Sequence, residues 1–242
     1  CLALVMSSSQ VMASTVSATD KTDSVDDASE DVNLIGYNGE IKIGDTIELG
    51  TYYGEPISWK CMAIDENGPL MYSEKILCLK AFDASGYNAQ YHSDGWGYIR
   101  KEYGSNCWSD STLRQWLNSD DEVVSYTHCP PTNESINHGD AYDKEPGFLT
   151  NFSESEKKCI KTVINKMNII DYDAQRPGYC NGGSMELPCY YEESDIISRD
   201  FDSYYYQNVQ DQIFLPNAKQ LYEIKSNFSD WSKAYPTQQA ID

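Results

Sequence analysis

The stretch Trp108-Ser109-Asp110-Ser111-Thr112-Leu113-Arg114-Gln115-Trp116-Leu117-Asn118 reads as one short helix with its own start signal. Leu113, Trp116 and Leu117 fall at i, i+3 and i+4, which gathers them on one apolar face, and Ser109 is placed to cap the first turn. Such a face must be buried against something, and the chain before it supplies strands. Ile57, Trp59 and Cys61 alternate with Ser58, Lys60 and Met62, a period of two. Asp65-Glu66-Asn67-Gly68 is a hairpin signal because Asn-Gly accepts positive φ, and residues 69–77 form the return strand. Further upstream, Ile41, Ile43, Ile47 and Leu49 bracket Gly44-Asp45 as strand, turn and strand.

Two more helices follow. Ser153 with Glu156 makes a capping box, and Cys159, Ile160, Val163, Ile164 and Met167 form the apolar stripe behind it. Asn217 with Gln220 repeats the spacing, with Leu221 and Ile224 inward and a strand, 212–215, just ahead. Strands first, then helices with a strand between them, predict an α+β fold. Residues 168–210 carry little periodicity, with Pro177-Gly178, Gly182-Gly183 and Tyr-rich runs, and read as a long irregular insertion.

The N-terminal end is different. Residues 1–13 (CLALVMSSSQVMA) carry no charge and end in Val11-Met12-Ala13, the pattern of a signal peptide remnant with small residues at −3 and −1 of its cleavage site. Residues 14–39 are rich in Ser, Thr and Asp, with six acids against Lys21, and read as a disordered linker. Residues 40–242 then form a single α+β domain, incomplete at its C-terminus. The expected location is extracytoplasmic, secreted or at the cell surface. No other segment is long and apolar enough to span a membrane.

The 242 residues carry a net charge of −20. With no basic stretch, phosphate-rich partners would be repelled, which excludes nucleic acid. About half of that charge lies in the linker and in residues 186–202, so the rest of the domain is only mildly acidic.

The residues resemble a bacterial family of exported domains of unknown function. The helix stretch is similar to its W-x-x-S-x-L-R-x-W-L-N signature. Gly44-Asp45-Thr46-Ile47, Gly50-Thr51-Tyr52 and Pro56-Ile57-Ser58-Trp59-Lys60 resemble the family's opening. Asp211-Gln212-Ile213-Phe214-Leu215-Pro216 resembles its D-x-I-F-L-L-S segment, with Pro216 in place of Leu. The resemblance implies the fold of C-type lectins and formylglycine-generating enzymes, with long irregular loops, but no particular activity. It marks Trp59, Trp108, Ser111, Leu113, Arg114, Trp116, Leu117, Asn118, Asp211, Phe214 and Leu215 as signature positions with structural roles. For Arg114 and Asn118 the alternative is a polar pair reaching a ligand.

The chemistry-bearing residues favour binding over catalysis. No C-x-x-C, H-x-x-x-H, G-x-S-x-G or phosphate-binding loop occurs, and His92, His128 and His138 lie in polar loops. Cys61 and Cys159 fall on apolar faces and read as small buried hydrophobes, while Cys180 and Cys189 bracket one loop as a candidate disulfide. No metal or cofactor is predicted. Calcium is the weaker alternative, through Asp140, Asp143, Asp171 and Asp173, because Glu145-Pro146-Gly147 has Gly where a lectin-type site needs an amide.

Trp96, Tyr190, Tyr191, Tyr204, Tyr205 and Tyr206 are the candidate ligand-binding residues. Aromatic rings beside carboxylates suit sugar faces, and Tyr suits protein recognition. The expected function is an exported, non-catalytic binding domain for a glycan or a surface protein. The alternatives are an enzyme of the formylglycine-generating-like superfamily and a structural surface module.

Overall fold

The alternation along residues 46–65 makes a two-faced ribbon, and one face is wholly apolar. In the computed structural model, which describes residues 5–8, 41–84, 107–127, 129–136, 140–168, 206–228 and 235–241, this ribbon is the start of a six-stranded sheet. The sheet contains β1 (Val5–Ser8), β2 (Thr46–Tyr52), β3 (Glu55–Asp65) and β4 (Gly68–Ser73). The strand β5 (Lys75–Ile76) lies outside it. Ile47 and Leu49 on β2 and Ile57, Trp59 and Cys61 on β3 point into the core.

Two tight turns set the register. Asp65 pairs with Gly68, whose φ of 109° is the left-handed value the Asn-Gly signal anticipated. Tyr52 pairs with Glu55 around Tyr53 and Gly54, both at positive φ. The register shifts between Glu48 and Thr51, where Gly50 has a φ of 76°. A Cβ there would lie 2.5 Å from the Phe152 ring, so Gly is required on both counts. The expected strand before Gly44 is not formed; residues 41–42 are irregular, and the ribbon begins at Thr46.

The signature helix is shorter than its sequence suggested. A 3-10 turn, Trp108–Asp110, leads to Ser111, and α1 (Thr112–Leu117) follows. Ser111 rather than Ser109 is the cap, because its hydroxyl accepts from the Arg114 amide. Leu113, Trp116 and Leu117 are all buried against the sheet, as their spacing predicts.

The second helix is corrected outright. Ser153 and Glu156 do form a capping box, but α2 (Glu154–Lys157) lasts one turn. The expected apolar stripe continues as β6 (Ile160–Lys161) and β7 (Val163–Asn168). Val163 is buried while Ile164 is 61% exposed, which a shared helical stripe would not give. β-branched residues at 160 and 162–164 favour extended backbone, and a partner strand is available to pair with it. That partner is β8 (Tyr206–Asp211), so Tyr206 to Gln210 form a strand rather than the end of an irregular insertion. β9 (Ile213–Phe214) follows, then α3 (Ala218–Asn227) with the expected Asn217–Gln220 box, and β10 (Tyr235–Pro236) pairs parallel to β5.

The chain is thus one α+β domain, richer in strand than in helix. Val5–Ser8, within the stretch read as a signal remnant, pairs with β4 on one edge and with β6 and β9 on the other.

Candidate functional site

Asp211 is the polar centre of the fold. It ends β8, its side chain has no exposure, and three donors converge on it. Trp108 Nε1 donates to Oδ2 at 2.9 Å, Arg114 Nε donates to Oδ1 at 2.7 Å, and Asn165 Nδ2 donates to Oδ2 at 3.3 Å. The remaining Arg114 nitrogens donate to the carbonyls of Ser109 and Gln210. A buried carboxylate is tolerable only when its charge and lone pairs are matched this fully.

Asn118, one turn beyond Arg114, ties the other side of the same corner. Its Oδ1 accepts from the amides of Gln212 at 2.7 Å and Ile213 at 3.2 Å, and its Nδ2 donates to the Ile213 carbonyl at 2.8 Å. Arg114 and Asn118 therefore fasten α1 to β8 and β9. The signature polar residues hold the chain together rather than reach outward.

This corner also anchors both Tyr-rich segments. Residues 85–106 leave at Ala84, whose amide donates to Thr112 Oγ1 at 3.2 Å, and return at Cys107 beside Trp108. Residues 169–205 leave at Asn168 and return at Tyr206, which are paired across β7 and β8. Gln207 Nε2 donates to Ser109 Oγ at 2.7 Å, linking the two roots directly. Trp96, Tyr190, Tyr191, Tyr204, Tyr205, Cys180, Cys189, Asp171, Asp173, His92, His128 and His138 lie outside the described residues. Tyr206 is described as the first residue of β8.

The remaining predicted positions pack the interior. Trp59 is fully buried and donates Nε1 to the Leu49 carbonyl at 2.8 Å. Phe214 is buried and Leu215 packs partly against the core. Cys61 and Cys159 are buried free thiols, and burial followed by the nearby Asp45 carboxylate pushes Cys61 up to about 11.

One cluster had not been read from the sequence. Lys80 is buried, with only 4% of its side chain exposed, and Nζ donates to Glu145 Oε1 at 2.7 Å. The same ammonium sits 4.9 Å from the Trp116 ring centre and 5.0 Å from that of Tyr142, a cation held over two aromatic faces. Tyr142 completes the wall, its hydroxyl within hydrogen-bond distance of the Ala81 carbonyl (2.7 Å) and Thr112 Oγ1 (2.8 Å). Burial pushes the thiol of Cys78 up, with Lys80 drawing it partly back. The available signal was a cation, Lys80, set between the apolar run Leu77-Cys78-Leu79 and Ala81-Phe82.

Glu145-Pro146-Gly147 belongs to this cluster. Trp116 Nε1 donates to the Pro146 carbonyl at 2.9 Å, and Gly147 N donates to the Asp121 carbonyl at 2.9 Å. A Cβ at Gly147 would lie 2.2 Å from the Ser119 carbonyl oxygen, so no side-chain amide fits there. Glu145 is committed to Lys80. Among the described residues, no group of three His, Cys, Asp or Glu side chains is placed to hold a metal, and no helix is long and apolar enough to cross a membrane.

No curated protein and no solved structure matches the chain. The profile of a domain of unknown function, DUF6273, matches residues 73–234, which take in α1, the Asp211 corner and both Tyr-rich segments but not the opening stretch of residues 44–60. On the strength of that match, the chain belongs to the DUF6273 family.

Proposed function

We propose that this is an exported or cell-surface, non-catalytic binding domain of C-type-lectin-like fold, whose ligand is a glycan or a surface protein. One observation carries the reading. The two Tyr-rich segments, 85–106 and 169–205, are rooted on a single rigid corner built from Trp108, Arg114 and Asp211. Recognition commonly works this way, with variable segments held at fixed separation by a scaffold that spends its own polar groups on itself. Trp96, Tyr190, Tyr191, Tyr204, Tyr205 and Tyr206 supply large, stiff, amphipathic surface at low entropic cost.

The test is a glycan array together with a pull-down from cell-surface proteins, using the secreted chain. A ligand whose binding falls at least about tenfold on Tyr190→Ala, Tyr191→Ala or Trp96→Ala, with unchanged unfolding midpoint, supports the reading. No ligand in either screen counts against it.

A further inference from the structure

The turn between β2 and β3 carries a residue that its shape disfavours. Tyr53 and Gly54 both have positive φ, 49° and 82°, in a two-residue turn whose first place suits Asn or Gly. Among the described residues Tyr53 is the one non-glycine residue in the left-handed region, which a bulky side chain rarely adopts. Packing accounts for little of it. The Tyr53 ring meets that of Tyr52 edge-on at 4.8 Å, yet Tyr53 stays 59% exposed while Tyr52 is buried.

The surroundings of that open ring are polar and fixed. The Tyr52 hydroxyl is hydrogen-bonded to the Cys78 thiol, which brings the exposed neighbours Tyr53 and Leu79 to one part of the surface. Some burial, then the Glu145 carboxylate, the Cys78 thiol and the exposed Asp140 carboxylate, push the Tyr53 phenol up, so both acids lie within electrostatic reach of it. Lys80, buried over the Trp116 and Tyr142 rings, holds Glu145 Oε1 at 2.7 Å, while the Glu145 side chain keeps 25% exposure. A buried cation thus orients a carboxylate that still reaches solvent, as a pre-organised acceptor for a ligand requires.

We propose that the Tyr53 turn is a contact site for a neutral glycan, in which one sugar ring stacks its C–H face on the Tyr53 ring and donates hydroxyl hydrogen bonds to Glu145 and Asp140. The chemistry selects the class. An open aromatic face suits the apolar side of a pyranose, and ionised carboxylates, which only accept, call for donors. Lys80 answers the Glu145 charge, so a neutral polyol suits this carboxylate better than a cation does. Sulfated sugars and uronic acids meet carboxylates on a chain of net charge −20 and are repelled. The site rests on the glycan branch of the reading above and adds to it a contact outside both Tyr-rich segments.

The test is a printed array of neutral and acidic oligosaccharides, probed with the labelled full chain and its variants. Tyr53→Gly removes the ring and suits the turn, so its unfolding midpoint should equal or exceed that of the parent. Its binding to neutral glycans should nevertheless fall at least about tenfold. Tyr53→Phe keeps the ring and should bind within about threefold of the parent, whereas Asp140→Asn should bind at least about threefold more weakly. A lowered midpoint in Tyr53→Gly would show that the ring serves to hold the turn, and overturns the site. Binding confined to acidic glycans also overturns it. Glycan binding that is lost in Tyr190→Ala but kept in Tyr53→Gly sinks this site alone and leaves the binding reading standing. A surface-protein ligand without any glycan ligand does the same, and no ligand in either screen sinks both.

Discussion

The indole of Trp108 donates to the carboxylate of Asp211 at 2.9 Å across 103 residues of chain, and the same carboxylate receives Arg114 at 2.7 Å. Asp211→Ala would strand a guanidinium that is only 23% exposed and leave the indole N–H without its acceptor. The expected loss in denaturant unfolding is about 3 kcal/mol. Asp211→Asn keeps an acceptor but removes the charge, and should cost about half as much. A loss under about 1 kcal/mol for Asp211→Ala would show that the corner does not hold the fold.

Lys80 tests a buried cation with two kinds of partner. Lys80→Ala removes the charge opposite Glu145 and empties the space between the Trp116 and Tyr142 rings. Because Glu145 keeps 25% side-chain exposure, the expected cost is about 2 kcal/mol, below that of a fully buried broken pair. Lys80→Met fills the same space and should lie within about 1 kcal/mol of the parent. Equal losses for both variants would mean that volume plays no part.

Gly147 is fixed by sterics and not by its backbone angles, since its φ is −58°. Gly147→Ala drives a methyl group into the Ser119 carbonyl, 2.2 Å away, where backbone must move. Thermal unfolding should report a loss of about 2 kcal/mol. An unchanged midpoint would show that the loop at Ser119 yields freely.

Glu156 gives a pH signature. Burial pushes its carboxyl up, but the amides of Gly50 and Ser153 and the Ser153 hydroxyl outweigh that, so it titrates below the ordinary Glu range. Its contribution is therefore complete above the unfolded pKa of about 4.3 and is lost as pH falls through the lower folded value. The stability gap between the parent and Glu156→Gln should be constant near neutrality and close below about pH 4. A gap independent of pH down to about pH 3 would rule this out.

Much of this fold was legible locally. Apolar spacing found the buried face of Leu113, Trp116 and Leu117, and the Asn67-Gly68 turn and the two capping boxes were read from residues a few positions apart. The stretch after Ser153 was misread because its apolar residues sit at helical spacing. Only the strand 206–211, some forty residues later, selects the extended form. The Lys80 cage was missed for the same reason: Glu145, Tyr142 and Trp116 come from distant parts of the chain.

The sequence by itself determined the class, an α+β domain, and which residues are apolar enough to be its interior. Short-range spacing and turn chemistry fix those, since both act within a few residues. Only the tertiary structure decided that Arg114 and Asn118 are fasteners, because a polar side chain takes its role from what it meets, and they meet Asp211 and Ile213 across 97 and 95 residues. It also decided that four residues near the N-terminal end fill the centre of a sheet, since strand pairing depends on edges that only folding brings together.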